Sequence, residues 1–456
     1  MKHFQGEEPL WNYSITDFGA IGDDQTTNTE TTQAAIDKCH SNGGGRVVVP
    51  PGIFIIGSIF LKDNVDLHLL PGAELKGSPD ISDYCADDCF EQNQFSVSEN
   101  VTGAHLIMVI EATNVSITGR GRINGNSAAF FGPPSDLKFN FSITDRRPGQ
   151  MVCFIECRDV CVEGVELNDA PYWTLFVHGC EMVTITGVRI SNDRRTPNGD
   201  GIDIDCSRNV TISDCLISSG DDSITLRGCN KPLKDKSRIC ENVMVTNCVL
   251  SSPCNAIRVG VGEGVIRNCS LSNLVISDSR TGICLISCYG QRDKLGATIQ
   301  NIKFSNITMD VVMPFYIASR LEATAPVENI TFDNITATAS KTSVVSGNEK
   351  SMVRGVSFRN TNIEVNGGRD FMDEEMAQTD IRERSKGINA AFLVSNTDEV
   401  RFIDFTLKWG KLDAPWEHCF IVRNSTGFEL DTSHLTSPCD AMGDHQDSTG
   451  IVKYES

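Results

Sequence analysis

The sequence predicts an all-β chain wound as a parallel β-solenoid, and three observations carry that prediction. First, Asn198-Gly199-Asp200-Gly201-Ile202-Asp203-Ile204-Asp205 and Ser219-Gly220-Asp221-Asp222-Ser223-Ile224-Thr225-Leu226 fall into register when Asp200 is laid over Asp222. Ile202 then lies over Ile224 and Ile204 over Leu226, an offset of 22 residues that preserves the inward apolar alternation of a strand. Second, a degenerate unit, Asn-Val-x-Ile-x-x-x-x-Ile, recurs from Asn114 onward. Third, the steps Val160 to Val183, Val183 to Val210 and Val210 to Val243 are 23, 27 and 33 residues, so the coil is fixed while its loops vary. The period-3.6 pattern of helical repeats is missing.

The elements follow in order. Tyr13 to Ala20 precedes a polar turn, and Asn28 to His40 reads as a short helix containing Ala34, Ala35 and Ile36, placed to cap the open end of the solenoid. Gly43-Gly44-Gly45 ends it. Val47-Val48-Val49, Ile53 to Leu61 and Val65 to Leu70 read as short strands around the turn Pro50-Pro51-Gly52. The repeats then run through Asn114-Val115, Asp159-Val160, Met182-Val183, Asn209-Val210, Asn242-Val243, Asn301-Ile302, Asn329-Ile330, Gly355-Val356 and Glu399-Val400. Long insertions near Asp83 to Thr102, Ala128 to Gln150 and Asn366 to Lys386 are expected to wall a cleft. Residues 1–456 read as one domain: a cap and first coils over 1–70, main repeats over 114–437 and a C-terminal tail over 438–456.

A formal charge of −20, from 60 acidic and 40 basic residues, argues against nucleic acid or an anionic membrane surface as the main partner. No stretch is apolar for long enough to span a bilayer, and Met1-Lys2-His3-Phe4-Gln5-Gly6-Glu7-Glu8 lacks the basic end and apolar run of a signal peptide. The expectation is a cytoplasmic protein, or a secreted one if a leader precedes this sequence. Among the 18 cysteines, Cys215, Cys248 and Cys269 follow Asp or Asn at what reads as one repeat position, so they are expected to form a reduced, buried interior ladder. No Cys-x-x-Cys pair occurs, which disfavours zinc.

Extending the register by one coil places Ile257 over Ile224 and produces a column Asp200, Asp222, Asn255. Asp221 is out of step with Asp222, and Gly220 would permit the bulge that brings both carboxylates to one cleft. Like charges stacked without an evident basic partner in the same coil point to a ligand or to catalysis. Three carboxylates suit hydrolysis of a glycosidic bond, with Asp221 as the acid and Asp200 and Asp222 holding the water. Clustered acids are also ligands for a hard cation such as calcium. Asp203 and Asp205, alternating with Ile202 and Ile204, read as a solvated strand face.

The order of Asp17-Phe18-Gly19-Ala20, Gly43 to Pro50, Gly119-Arg120-Gly121-Arg122-Ile123-Asn124-Gly125, Pro171-Tyr172-Trp173-Thr174, Asp200-Gly201-Ile202-Asp203 and Gly220-Asp221-Asp222 resembles glycoside hydrolase family 28, the polygalacturonase family. The resemblance implies a right-handed single-stranded parallel β-helix and an inverting hydrolase of pectic polymers. Asp200, Asp221 and Asp222 match the family's three aspartates, and no metal or organic cofactor is implied. Two motifs depart from the family: Cys254-Asn255-Ala256 stands where Gly-His-Gly is expected, and Gly282-Ile283-Cys284-Leu285-Ile286 where Arg-Ile-Lys is expected. Cys284 and Ile286 cannot pair with a uronate carboxylate, so polygalacturonic acid is expected to be a poor substrate. Rhamnogalacturonan-type hydrolases resemble the same family and also lack the histidine.

The expected partner is an oligosaccharide or polysaccharide. Candidate substrate contacts are Asn255 in the histidine's place, Arg258 as a replacement charge, Asn198 ahead of Asp200, His178 and Trp173. A strand histidine is also a common structural hydrogen-bonder, and a tryptophan packs as readily as it stacks on a pyranose. Arg194 and Arg195 read as a loop beside the groove. Two other classes share the architecture: a lyase or uronate epimerase, which would want calcium and a basic proton abstractor, and a non-catalytic carbohydrate-binding solenoid.

Overall fold

Segments in which Val or Ile alternates with polar residues bury every second side chain, and strands of this kind pair with the strand one coil earlier and one coil later. The computed structural model describes residues 11–85, 99–134, 140–288, 294–320, 323–367, 388–412, 416–430, 434–438 and 451–455. Leu175–His178, Ile202–Asp205, Ile224–Gly228 and Asn255–Gly262 form one face of the coils, all in parallel. Arg158–Glu163, Glu181–Thr186, Arg208–Ser213 and Cys240–Thr246 form a second. Glu166–Asn168, Arg189–Ser191, Leu216–Ser218 and Val249–Ser251 form the third. The three faces close around one continuous apolar interior, a parallel β-helix.

The repeated unit acquires a physical meaning here. Its apolar residue stacks coil on coil, Val115 beside Val160, Val183 and Val210, and later Ile302 beside Ile330, Val356 and Val400. Its asparagine turns the corner in the left-handed region, with φ of 56° at both Asn209 and Asn242 and 57° at both Asn301 and Asn329. Asparagine tolerates that conformation better than most residues, and its amide can bridge to the next coil. Asn242 accordingly donates to Asn209 Oδ1 at 3.1 Å, and Asn329 to Asn301 Oδ1 at 3.2 Å.

The N-terminal helix spans Thr29–Ser41, buries Thr32, Ala35, Ile36 and Cys39 into the interior and leaves Ala34 exposed. The glycine run behind it is required by close approach: at Gly45, where φ is 141°, a Cβ would lie 2.5 Å from the Trp11 carbonyl oxygen. No helix among the described residues is long and apolar enough to cross a membrane.

Cys215, Cys248 and Cys269 are unpaired and buried, but they do not form one ladder. Leu216 pairs with Val249 and Val249 with Val275, so Cys215 and Cys248 share a column that continues to Leu274. Cys269 instead pairs with Ile302 in the column of the repeat valines. The shared Asn-Cys spelling arises because asparagine marks two different corners of each coil. Within the stretch read as a tail, Val452–Glu455 is a strand paired with Phe420–Arg423. The first two insertions are described only in part, and the third lies outside the described residues from 368 onward. Within the second, Phe131–Pro134 and Phe141–Ile143 pair as a small antiparallel ribbon.

Candidate active site

The turns that enter the first face deliver the acidic residues. Thr174 N–H donates to the Asp200 carbonyl at 2.9 Å, Gly201 N–H to that of Asp222 at 2.8 Å and Ser223 N–H to that of Asn255 at 3.0 Å. Asp200, Asp222 and Asn255 therefore occupy equivalent positions on successive coils, in the predicted column. The kink at Gly220 is present too. Gly220 and Asp221 N–H share the Gly199 carbonyl at 2.9 and 3.3 Å, and a Cβ on Gly220 would sit 2.5 Å from the Thr196 carbonyl oxygen. Ser219 Oγ donates to the Asp221 carbonyl at 2.6 Å, which fixes the bulge.

Asn255 does not present its amide to a ligand on this column. Its Nδ2 donates to Asp222 Oδ1 at 2.6 Å and its backbone N–H reaches the same oxygen at 3.3 Å. Arg258 Nη1 lies 3.5 Å from Asp222 Oδ2, with the guanidinium side chain only 2% exposed. Arg258 is thus a buried charge partner of Asp222. Arg280 Nη2 lies 2.8 Å from Cys254 Sγ, and the Cys254 thiol in turn hydrogen-bonds Asp221.

Two further expectations are corrected. Asp203 and Asp205 are fully buried, not solvated, because the register that sets Asp205 beside Arg227 lays that arginine over both. Arg227 Nη1 lies 3.5 Å from Asp203 Oδ1 and its Nε 3.4 Å from Asp205 Oδ2. The acidic column also has basic neighbours: Arg227 in the coil of Asp222, and Arg258 and Arg280 in the next coils. Sequence reasoning passed over Arg227 although the 22-residue register already paired it with Asp205.

The remaining candidates disperse. Trp173 is 7% exposed, stacked on Tyr172 at 5.1 Å between ring centroids and covered by the Arg227 guanidinium at 4.2 Å. His178 is buried, with Nε2 2.8 Å from the Cys229 carbonyl oxygen. Both are buried and engaged in packing and hydrogen bonding within the protein. Asn198 Oδ1 accepts from Arg147 Nη2 at 2.7 Å. Arg195 pairs with Asp193 at 2.8 Å, whereas Arg194 bonds Ser251 Oγ at 2.9 Å and reaches Asp278 at 3.2 Å. Cys284 and Ile286 are buried in an apolar cluster with Met313, Tyr316 and Val344.

Burial and crowding set the protonation of this site. Asp200 is held well above the usual carboxylate range by burial first and then by the charges of Asp203, Asp221 and Asp222, with Arg227 opposing. Asp221 is pushed up to about 6 by burial and by Asp222, against the thiol of Cys254 and the charges of Arg280 and Arg258. Burial likewise raises Asp203 to about 7, with Arg227 opposing. Crowding and burial of this kind make carboxylates hold their protons more tightly than isolated ones do. Asp221, Asp222 and Cys254 each place a ligand atom within 4.8 Å of the others. Calcium asks for six to eight oxygen ligands, and here a thiol and two guanidiniums occupy the same space, so the donor set does not fit it.

The sequence profile of glycosyl hydrolases family 28 matches residues 88–381. The chain belongs to glycosyl hydrolase family 28. A probable polygalacturonase of Vitis vinifera is 27% identical to this family 28 protein over 307 residues, covering 65% of this chain and 60% of that one. The chain thus spans about three fifths of that relative's length. The exopolygalacturonase of Thermotoga maritima has a TM-score of 0.63 at 24% identity, over 78% of this chain and 87% of its own. The family 28 exopolygalacturonase of Yersinia enterocolitica has a TM-score of 0.67 at 18% identity, over 92% of this chain and 78% of its own. These solved structures establish the fold, a right-handed parallel β-helix.

Proposed function

We propose that this family 28 protein hydrolyses glycosidic bonds of pectin-derived or related glycans with inversion at the anomeric carbon. The observation that carries the reading is the convergence of Asp200, Asp221 and Asp222 from two successive coils, where burial and mutual repulsion retain a proton on the cluster. Asp221 is out of the column and half-buried, so it is the member placed to meet a leaving group. It gives its proton to the glycosidic oxygen as the bond from that oxygen to the anomeric carbon breaks. Asp200 and Asp222 stand one coil apart, about 4.8 Å, a spacing at which both can hold one water. One carboxylate of the pair takes that water's proton and the other holds the water in place, while its oxygen bonds the anomeric carbon from the opposite side. Asn255 and Arg258, both on Asp222, keep that carboxylate oriented.

Similarity to polygalacturonases of plants and bacteria supports a pectic substrate. The burial of Cys284 and Ile286 supports a sugar other than unbranched galacturonate, because the coil after Asn255 offers a uronate no cation at those two positions. A carboxylate there would forgo charge-assisted pairing worth about 1.5–3 kcal/mol per hydrogen bond. The test is incubation with polygalacturonic acid, rhamnogalacturonan, xylogalacturonan and neutral glycans, read by mass spectrometry. Release of saturated fragments from a substituted or neutral-sugar-bearing pectin, above that from polygalacturonic acid, is expected. Unsaturated fragments, or binding to every glycan without turnover, would overturn the reading.

A further inference from the structure

Arg147 is a fully buried guanidinium in a strongly acidic chain, and among the described residues its hydrogen bonds end on neutral oxygens. Nη1 donates to the Pro171 carbonyl at 2.9 Å and to that of Pro197. Nη2 donates to Asn198 Oδ1 at 2.7 Å and to the Glu99 carbonyl at 3.4 Å. The planar group lies over the Tyr172 ring, 4.8 Å from its centroid. A buried charge is costly unless something nearby repays it, and a fork of this kind repays it through several fixed acceptors at once.

The segments so joined are the ones that set the acids. Pro197 and Asn198 form the turn immediately before Asp200, and Asn198 is held there in the left-handed region at φ 54°. Gly199, the next residue, supplies the carbonyl that both Gly220 and Asp221 N–H groups share. One guanidinium therefore braces the backbone from which Asp200 and Asp221 both hang. Pro171 links the same clamp to the Tyr172-Trp173 pair behind the site, and Glu99 links it to the first insertion.

From this geometry we infer that Arg147 is a positioning residue of the acid cluster, fixing the Pro197–Gly199 turn by its fork and biasing Asp200 and Asp221 toward ionisation by its charge. The inference rests on the catalytic reading of those aspartates. The groups that face Arg147 are Tyr172, Glu99, Asp200 and Asp221, and burial draws its own proton affinity down to about 10 against them. Asp200 also faces Asp203, Asp222 and Arg227, and Asp221 faces Asp222, Cys254, Arg280 and Arg258. These remain unchanged when Arg147 is replaced.

The experiment compares wild type, Arg147→Lys and Arg147→Met by carboxyl-carbon NMR titration of aspartate-labelled protein and by kcat and KM on the pectic substrate that wild type cleaves best. Arg147→Met should raise the titration midpoints of the Asp200 and Asp221 carboxyls, shift the pH optimum upward and lower kcat by about 100-fold, the cost of a small misplacement of reacting groups. KM should change far less. Arg147→Lys should keep the midpoints near wild type while still losing kcat, because an ammonium supplies charge without the fork. The titration requires no turnover, so inactivity of wild type would count against the hydrolase reading and leave the carboxyl shifts to decide on Arg147. Midpoints unmoved in Arg147→Met would overturn the proposal. So would Arg147→Lys with full kcat, which would show that the fork positions nothing.

Discussion

One outward column of the solenoid can be followed from its charged middle to its apolar end: Asp203, Thr225, Arg258, Cys284, Tyr316, Val344, Leu393 and Ile421 are neighbours on successive coils. The interior column beside it, Ile202, Ile224, Ile257, Ile283 and Phe315, stays apolar throughout. Up to Arg258 the outward residues are polar, an acid, a threonine and a base, and from Cys284 onward they form a closed apolar cluster. Both regions are buried, yet by opposite means. In the middle coils, carboxylates and guanidiniums compensate each other. In the later coils dispersion does the work, reinforced inside by the stack of Phe304, Phe332, Phe358 and Phe402, whose neighbouring centroids lie 5.0, 4.7 and 4.8 Å apart. A repeat that fixes the inside leaves the outside free, so chemistry can occupy two or three coils without disturbing the rest.

The sharpest break between the regions concerns activity. Asp221→Asn should lower kcat by about 10²–10⁴-fold, the range for loss of a general acid, while thermal unfolding stays near wild type. Steady-state assay together with a melting curve checks this; activity above a tenth of wild type removes Asp221 from the role. The next effect is on stability, and the two regions should answer differently. Arg227→Met strands Asp203 and Asp205 without their buried cation and should cost about 3–5 kcal/mol at pH 8. Phe332→Ala should cost a similar amount, about 3–5 kcal/mol, by opening a cavity. Denaturant unfolding at two pH values separates them: the Arg227→Met penalty should shrink in acid, where the stranded carboxylates protonate, and the Phe332→Ala penalty should not.

A smaller effect isolates Asp203. Its folded-state value, about 7, exceeds its ordinary 3.8, so the stability it contributes is fully present below 3.8 and is lost as pH rises through about 7. Asp203→Asn should flatten the stability profile between those limits. An unchanged slope would mean that Arg227 holds Asp203 ionised throughout.

Much of this was legible from residues. The 22-residue register of Asp200 on Asp222, the kink at Gly220 and the stacking of the Asn-Val units all follow from periodicity two within a strand and one coil between strands. The site's basic half was less legible. Arg227 lies in plain register with Asp205, but strand alternation gives direction without saying what covers the outer face. Arg258 and Arg280 needed side-chain reach, which spacing does not supply. Arg147 lies 51 residues before Asn198, in an insertion with no repeat to index it, and only the folded chain brings the two together. The cysteine ladder failed because asparagine turns two corners of each coil, and a local spelling cannot tell one corner from the other.

The central claim is direct displacement by water at a three-aspartate site, and the stereochemistry of the first product tests it most directly. Proton NMR of a pectic digest, recorded within the first minutes before mutarotation, reads the anomeric configuration of the new reducing end. Inversion predicts that this anomer is opposite to that of the cleaved bond. A new reducing end of unchanged configuration, or an unsaturated sugar at the other new end, would contradict it.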